Sequence, residues 1–397
     1  MKLKTQLAAL LLAVSGVTPT AWAQITIPNA DGSDGALNLT SGTNVINLTN
    51  AVGGSWTSAS ASPGNGTYDS NQWAIVFKYT SVNIASNTTL VFSNHYSHAP
   101  VVWLVSGNVT INGTLSLDGQ NGSTVQGEYD PVEPGPGGFR GGAGSAAYGG
   151  GGGFGPGGSV YNNGQYLNYP YGTTNIVPLI GGSGGSGSGG YSGDGAGGAI
   201  LIAATGTITV NGTCHANSGT APQGYYGSAG AIRLVANQIL GTGQILANFN
   251  TPGRIRLEAN TVAGTLTANP ATVAVTPANP TVIFPAATAP TVTVVSVGGA
   301  PVPADPKALM SASPGGDDIT LATISNTVPV IVQTQNFPTN GTVKIYVHGR
   351  NGSIFNTYTA SLVSSNNSVA TWQAQAALPY PPSNPGHSII QARAVLP

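Results

Sequence analysis

Two arginines at matching positions of a repeated pattern are the first candidates for chemistry in this chain. Arg233 and Arg256 occupy equivalent outward positions of consecutive repeats, and Arg254 lies on the same strand face. Guanidinium groups hold carboxylates and sulfates through paired hydrogen bonds, so this cluster could bind an acidic sugar. The alternative is structural pairing with Glu258 or with the acids of the loop GEYDPVEPG. The sequence favours the structural pairing, because exposed ion pairs are common and contribute little.

The acids of that loop, Glu128, Asp130 and Glu133, are the candidate catalytic residues, together with the arginine pair. Enzymes that cleave polysaccharides need carboxylates paired for acid–base work, or calcium held beside a basic residue. Outside the loop only Asp118 and Asp194 could be recruited, and no carboxylate pair falls on adjacent repeats. We therefore expect a protein without catalytic activity, with a polysaccharide lyase or glycoside hydrolase as the alternative.

Two acidic segments offer the oxygen ligands that Ca²⁺ prefers: Asp31 with Asp34, and Asp317 with Asp318. Neither has the spacing or the terminal glutamate of a calcium loop, so tight turns and capping are the competing interpretation. No cofactor is predicted apart from this possible calcium.

Histidine and cysteine residues give no stronger indication of a site. His95 and His98 lie at a predicted bend without a nearby Cys, Asp or Glu to complete a metal site, so turn hydrogen bonds are expected. Cys214 and His215 are neighbours on a predicted strand, and neighbouring side chains point to opposite faces. The sequence therefore predicts a buried, small apolar role for Cys214 rather than a nucleophile.

The N-terminus and the composition indicate an exported protein. Residues 1–23 combine Lys2 and Lys4, a short apolar run and Ala21-Trp22-Ala23, the pattern of a secretory signal peptide. No later segment has the roughly 18 consecutive apolar residues that a membrane span requires. Only 6% of residues are charged, and the 11 basic and 12 acidic residues nearly cancel, so no nucleic-acid partner is predicted. A single cysteine excludes an internal disulfide framework.

A repeated pattern of short apolar strands predicts the architecture of residues 24–270. The stretch VVWLVSGNVTINGTLSLDG at residues 101–119 is echoed by residues 199–219, and the same alternation recurs near residues 232 and 255. Each unit reads as three brief strands with one apolar face, too small to enclose a core alone. Stacking the units would bury that face, with Asn and Asp at the repeated turns. We predict an all-β fold, a parallel β-helix.

The sequence resembles a known group of proteins in particular segments. LDGQNG, PGPGGFRGG, IGGSGGSG, GGAILIAATGTITVNG, AIRLVAN and GRIRLEA are similar to glycine-rich exported bacterial proteins of the pectin-lyase-like, right-handed parallel β-helix superfamily. The resemblance covers roughly residues 30 to 270. It implies a right-handed helix but no particular activity, because this scaffold carries lyases, hydrolases, adhesins and inert surface proteins.

A glycine- and tyrosine-rich insertion at 135–198 separates two of the repeats. Val102 and Leu201 are apolar at outward positions, which indicates that something covers them. We expect a partly ordered flap in which tyrosines form the cover, with a floppy spacer as the alternative. Tyr166, Tyr169 and Tyr171 could also stack on sugar rings, and with Arg233, Arg254 and Arg256 they are the candidate ligand-binding residues.

The amino-acid composition changes after Pro270. Residues 271–290 are proline-rich and predict an extended linker. Residues 291–397 contain about seven short apolar runs separated by turns, which predicts an immunoglobulin-like or fibronectin-III-like β-sandwich without the usual cysteine pair. The sequence as a whole favours a secreted surface or matrix protein of the structural or adhesion type. A carbohydrate-active β-helix is the alternative, so an extracellular polysaccharide or another surface protein is the expected partner.

Overall fold

The computed structural model describes residues 24–125, 130–144, 150–158, 160–162, 165–167, 171–188, 190–220, 226–249, 251–303, 319, 321, 327–349, 355–378 and 388–397. The described chain is all-β, as predicted, and its only helical element is a 3₁₀ turn at Leu48–Asn50. Within these ranges no helix is long and apolar enough to span a membrane.

The strands of the N-terminal part are β1 (Gly35–Leu39), β2 (Gly42–Asn47), β3 (Val52–Gly53), β4 (Thr67–Asp69), β5 (Ala74–Ile84), β6 (Thr88–Ser93), β7 (Val101–Val105), β8 (Val109–Ile111), β9 (Thr114–Ser116), β10 (Val160–Asn162), β11 (Gln165–Leu167), β12 (Ala199–Val210), β13 (Thr213–His215), β14 (Ala231–Gly241), β15 (Gln244–Leu246), β16 (Asn248–Phe249), β17 (Thr251–Pro252), β18 (Arg254–Gly264) and β19 (Thr267–Asn269). Those of the C-terminal part are β20 (Thr291–Val297), β21 (Ala300–Pro301), β22 (Val328–Gln335), β23 (Thr342–Gly349), β24 (Phe355–Asn366), β25 (Val369–Ala376) and β26 (Ser388–Val395).

Two sheets of mostly parallel strands form the N-terminal part, which we call the body. Sheet 1 has the order β18-β14-β12-β7-β5-β4-β3, and β1 and β8 pair with the later halves of its long strands. Sheet 2 has the order β19-β15-β13-β9-β6-β2. From β12 onward the long strands of sheet 1 alternate along the chain with short strands of sheet 2. Within sheets 1 and 2 all described pairs are parallel except β4 with β5. The antiparallel pairs β10–β11 and β16–β17 form two small separate sheets.

Each long strand of sheet 1 is continuous, but its pairing with neighbouring strands is interrupted once. The body therefore has three columns of paired strands. The proximal column contains the first halves of β5, β12, β14 and β18 together with β7. The distal column contains β1, the second halves of the same long strands, and β8. Sheet 2 is the third column. Apolar side chains from all three meet in a single core.

The register of this core follows the alternation read from the sequence. Cys214 pairs with Leu115 on one side and with Ile245 on the other, and all three are fully buried. Arg233 and Arg256 also pair directly, as predicted. Because full burial of an aliphatic side chain contributes about 1.5–3 kcal/mol, these columns are the main source of the body's stability.

The outward apolar residues of the proximal column are covered, as their composition predicted. Val102 and Leu201 are buried in a second apolar cluster, on the far side of sheet 1 from the main core. Among the described residues the cover is chiefly aliphatic: Ile25 and Ile27 from the start of the described chain, Ile176 and Leu179 from the glycine-rich insertion, and Ile283 from the segment after the body.

The glycine-rich insertion is hydrogen-bonded where it is described, and its bonds follow a period of three. One side of segment 181–188 donates N–H groups to the insertion's own carbonyls: Gly181 to Gly137, Gly184 to Phe154, Gly187 to Gly151. A second side donates to a later segment of the same insertion: Gly182 to Gly197, Gly185 to Asp194. A backbone with three residues per turn and no hydrogen bonds within the segment is typical of polyproline-II strands. Such strands pack closely here, since a Cβ on Gly184 would lie 1.8 Å from the Arg140 carbonyl oxygen.

The segment predicted as a linker has little regular secondary structure and is attached to the body. The Thr281 N–H donates to the Thr26 carbonyl at 3.0 Å, and the Thr26 N–H donates to the Asn279 side chain at 3.0 Å. The Phe284 ring lies 5.0 Å from the Trp56 ring, edge on. These contacts hold residues 279–284 against sheet 1.

The C-terminal part is a seven-stranded antiparallel sheet in the order β21-β20-β22-β25-β24-β23-β26. Alternate residues of these strands form a separate apolar cluster. Trp372 is buried in it and donates its indole N–H to Thr334 Oγ1 at 2.9 Å, which satisfies the polar atom of the ring.

Candidate functional site

A polar cleft of about 450 Å³ lies at the carboxyl-terminal ends of β6 and β9 in sheet 2. Its lining residues are Val91, Phe92, Ser93, Asn94, His95, Tyr96, His98, Ser116, Leu117, Asp118, Gln120, Glu133, Pro134, Gly135, Pro136 and Arg140. Three segments contribute: the end of β6 with the bend after it, the end of β9, and the first residues of the glycine-rich insertion with the loop before it. The cleft therefore exists only because the insertion folds back onto sheet 2.

Glu133 is the most constrained charged group in the cleft. Its Oε2 lies 2.8 Å from His98 Nε2 and accepts the Asn94 amide at 3.2 Å, while its Oε1 pairs with the Arg140 guanidinium. Burial opposes ionisation of this carboxyl group, but His98, Arg140 and Asn94 outweigh that cost and hold the pKa of Glu133 at about 2. Glu133 is therefore ionised at neutral pH.

A second carboxylate, Asp118, lies at the end of β9. Its Oδ2 is 2.8 Å from His215 Nδ1, and its Oδ1 accepts the Asn217 backbone N–H at 2.6 Å. The β13 strand places His215 on the outward face and Cys214 in the core. Burial, with a smaller contribution from Asp118, raises the pKa of the Cys214 thiol to about 12. The thiol is thus neutral and enclosed, in agreement with the apolar role predicted for it.

Aromatic residues form one wall of the cleft. Tyr96 is 53% exposed, and its ring centroid lies 3.9 Å from that of His95, which itself packs on Tyr68 at 4.4 Å. His95 Nδ1 is 2.7 Å from the Ser97 hydroxyl, so the imidazole is fixed by the turn hydrogen bonding predicted for it. Tyr96 therefore presents a supported aromatic face beside the two carboxylates.

This arrangement suits hydrogen bonding to a ligand better than proton transfer. An acid catalyst in glycoside hydrolysis needs a carboxyl group whose pKa is raised, so that it is protonated near neutral pH. Glu133 has the opposite perturbation, since its pKa is lowered. Ionised, positioned carboxylates remain good acceptors for the hydroxyl groups of a sugar.

The arginines predicted to bind a ligand are engaged inside the protein. Arg233 and Arg256 both donate from Nε to Glu258 Oε1, at 2.8 and 2.7 Å. The side chains of Arg233 and Glu258 are each 4% exposed, and Arg233 also donates to the Val282 carbonyl at 2.8 Å. The predicted structural pairing is confirmed for Glu258. The loop acid Glu133 pairs elsewhere, with His98 and Arg140.

Arg254 and Tyr171 belong to the attachment of the glycine-rich insertion. Arg254 donates to the Tyr171 carbonyl at 3.4 Å and to the Ile180 carbonyl at 3.1 Å, with its guanidinium carbon 5.5 Å from the Tyr171 ring centre. The Tyr171 hydroxyl donates to the Gly181 carbonyl at 2.5 Å. The geometry therefore gives these two residues a structural role in place of an open sugar-binding face.

The first candidate calcium segment is already neutralised by a cation of the chain. The buried Lys78 ammonium lies 3.2 Å from Asp31 Oδ2. Asp31 Oδ1 accepts the Ser33 N–H at 2.9 Å, which is the predicted tight turn, while Asp34 accepts the distant backbone N–H groups of Gly64 at 2.9 Å and Lys78 at 2.6 Å. Within the described ranges no three His, Cys, Asp or Glu side chains are grouped to hold a metal ion.

Several predicted site residues lie outside the described residues: Glu128, Tyr169, Asp317 and Asp318. Tyr166 lies in β11, and its side chain is likewise outside the described set. Asp130 is exposed and does not line the cleft. Of the predicted catalytic loop acids that the structure describes, Glu133 lines the cleft and Asp130 does not.

The sequence interpretation did not foresee that Asn94, Tyr96 and Arg140 would surround Glu133. His95 and His98 are two polar side chains in one bend, and the sequence predicts them only as metal ligands or turn residues. Comparisons with family models, with curated proteins and with solved structures found no match for this chain. The function is therefore argued from its own residues.

Proposed function

We propose that this protein is an exported bacterial surface or matrix protein of the structural or adhesion type, without catalytic activity. We further propose that its body is a right-handed parallel β-helix and its C-terminal sheet an immunoglobulin-like sandwich. The β-helix is supported by the alternation of long and short parallel strands around one core. The sandwich is supported by seven antiparallel strands with alternating buried residues.

One observation carries the non-catalytic function: the charged side chains best suited to chemistry are used in internal contacts. Arg233 and Arg256 share Glu258, and Arg254 holds the insertion. Glu133 is held ionised by His98 and Arg140. Residues that serve as acid catalysts have pKa values tuned toward neutrality, and that tuning is the reverse of what Glu133 shows.

Binding of a neutral polysaccharide in the cleft is the specific adhesive function that we propose. Tyr96 offers an exposed ring for stacking on the apolar face of a sugar, and the neighbouring Glu133 and Asp118 accept hydrogen bonds from hydroxyl groups. With two carboxylates against one arginine, the lining disfavours an acidic sugar. The volume of about 450 Å³ matches a short stretch of a polymer rather than a whole chain.

The experiment is a pull-down with insoluble polysaccharides, both neutral and acidic, in which retention and release of new chain ends are measured together. We expect retention on a neutral polymer, no new reducing or unsaturated ends, and loss of retention in Tyr96→Ala. New ends that disappear in Glu133→Gln or Arg233→Ala would show an enzyme and refute the proposal. Secretion is tested separately by the N-terminal sequence of exported protein, which should begin at Gln24.

A further inference from the structure

We propose that copies of this protein associate head to tail, through the open ends of the body. In this contact β19 and the later half of β18 of one copy pair with β2 and β1 of the next. The inference concerns the ends of the body and is independent of any ligand in the cleft.

The core is open at the end formed by β18 and β19. In the distal column Ile208 and Ile239 are fully buried, but Val262, the next residue in that row, is 40% exposed. The rest of β18 beyond it and the outward residues of β19 are also exposed. Among the described residues no strand pairs with the outer edge of either segment. The last layer of the core therefore ends on solvent.

The opposite end of the body is open at β1 and β2. β1 pairs only with β5, and β2 pairs only with β6, within the described part of the chain. The inward residues of these strands, Leu37, Leu39 and Ile46, pack against the core but are only partly buried. The outer edges of both strands thus present backbone donors and acceptors that a further strand could pair with.

The two open ends match each other column by column. At one end the distal column finishes with β1 and sheet 2 finishes with β2; at the other end they finish with the later half of β18 and with β19. The proximal column is covered at both ends. β4 runs antiparallel to β5 at one end, and Val275 bonds to Leu257 and Ala259 at the other. A second copy placed head to tail would continue both open columns with parallel pairing.

Two of the features that normally protect an edge strand, charge and proline, are missing from both open ends, and the one bulge recorded there lies at the start of β1, between Gly35 and Ala36. Soluble proteins blunt such edges with charged residues, proline or bulges that prevent pairing with another chain. Residues 35–47 and 261–269 contain no charged residue and no proline. Because the two surfaces in contact are different and lie at opposite ends of the body, each contact leaves one open end at either side, and the product is an open chain of copies.

Proline substitutions can block each end separately without removing a bond inside the monomer. Gly42 donates its N–H inward to Asn87, and neighbouring residues of a strand point opposite ways, so the Thr43 N–H faces the open edge. By the same argument Thr267 donates inward to Gly243, and the Ala268 N–H faces the open edge. Thr43→Pro should block one end, and Ala268→Pro the other.

The test is sedimentation of the full chain over a range of concentrations. We expect the wild type to form a concentration-dependent series of oligomers, each proline variant alone to be monomeric, and an equimolar mixture of the two to form a dimer and nothing larger. Circular dichroism establishes that the variants are folded. If Ala268→Pro does not fold, Val262→Lys blocks the same end, because a lysine stem at this exposed position can reach solvent in the monomer.

Three results would overturn the proposal: a wild type that stays monomeric at every concentration, variants that oligomerise like the wild type, or Thr43→Pro dimers, which would show pairing of identical ends. Retention on polysaccharide should be the same for Thr43→Pro and the wild-type monomer, so failure of the self-association proposal is distinguishable from failure of the cleft proposal.

Discussion

Replacing Glu258 by glutamine should destabilise the body strongly, because it leaves two arginines beside a neutral group. Arg233 and Glu258 are each 4% exposed, and Arg256 is 22% exposed. After the change the Val282 carbonyl is the one remaining strong acceptor described for the Arg233 guanidinium. Breaking a buried pair by removing one partner costs about 3–5 kcal/mol. We expect Glu258→Gln to lower the free energy of unfolding by an amount in that range.

The assay is urea denaturation followed by circular dichroism, in which a loss of stability lowers the midpoint while the slope is unchanged. Asp130→Asn is the matched control, because this carboxylate is exposed and should contribute less than about 1 kcal/mol. The double variant Arg233→Met with Glu258→Leu removes the buried pair altogether. It should recover much of the stability lost in Glu258→Gln, since it leaves no buried charge at position 233.

The buried ion pair does not stabilise the body if Glu258→Gln lowers the free energy of unfolding no more than Asp130→Asn does. That result would mean that water or another acceptor reaches Arg233, and that the cluster is free to bind an external anion. The acidic-sugar interpretation of the arginines would then return, with binding of a sulfated or uronic polysaccharide as its measurement.

Three further predictions concern the insertion and the cleft. Gly184→Ala should lower the melting temperature well below that of the control Gly53→Ala. An added Cβ at Gly184 meets a backbone oxygen at 1.8 Å, whereas at Gly53 it meets nothing within 4 Å. Equal melting temperatures of the two variants would contradict the close packing of the insertion. Tyr96→Ala should weaken retention on a polysaccharide that binds the wild type at least tenfold, by loss of about 1.4 kcal/mol or more of stacking, and Tyr96→Phe should retain it. The lowered pKa of Glu133 means that its contribution to stability is fully present above the unfolded pKa near 4.5 and is lost as the pH falls toward 2. The acid-induced loss of stability should therefore be smaller in Glu133→Gln, and an identical pH profile for the two proteins would exclude this contribution.

The core and its register could be read from the sequence because they depend on local alternation. A strand exposes every second residue to the same face, so the inward positions of one repeat predict those of the next. Cys214 was placed in the row of Leu115 and Ile245 on that basis, and the pairings agree. The same logic aligned Arg233 with Arg256.

The cleft could not be read in the same way, since its residues are brought together by the fold of the insertion. His98 and Glu133 are 35 positions apart, and a chain rich in glycine gives no periodic signal that fixes its path. The cover over Val102 and Leu201 was predicted, and among the described residues it is chiefly aliphatic. The predicted contribution of tyrosines stays a prediction, because Tyr169 and the side chain of Tyr166 lie outside the described residues. Aliphatic residues such as Ile176 fill that role, because they bury apolar surface without a hydroxyl group to satisfy.

The sequence of residues 271–290 predicts the local backbone of this segment but not its contacts. Its prolines predict an extended backbone, but they carry no information on whether that backbone is free or attached. The contacts of Thr281 and Phe284 with the body depend on partners more than 200 residues earlier, which composition does not reveal.

The most direct test of the proposed function is the combined binding and cleavage measurement on polysaccharides. If the protein binds a neutral polysaccharide without cleaving it, the protein is retained on the polymer through Tyr96. The polymer then keeps its original number of chain ends. Chain ends that accumulate with time, and that stop accumulating in Glu133→Gln, would contradict the proposed function.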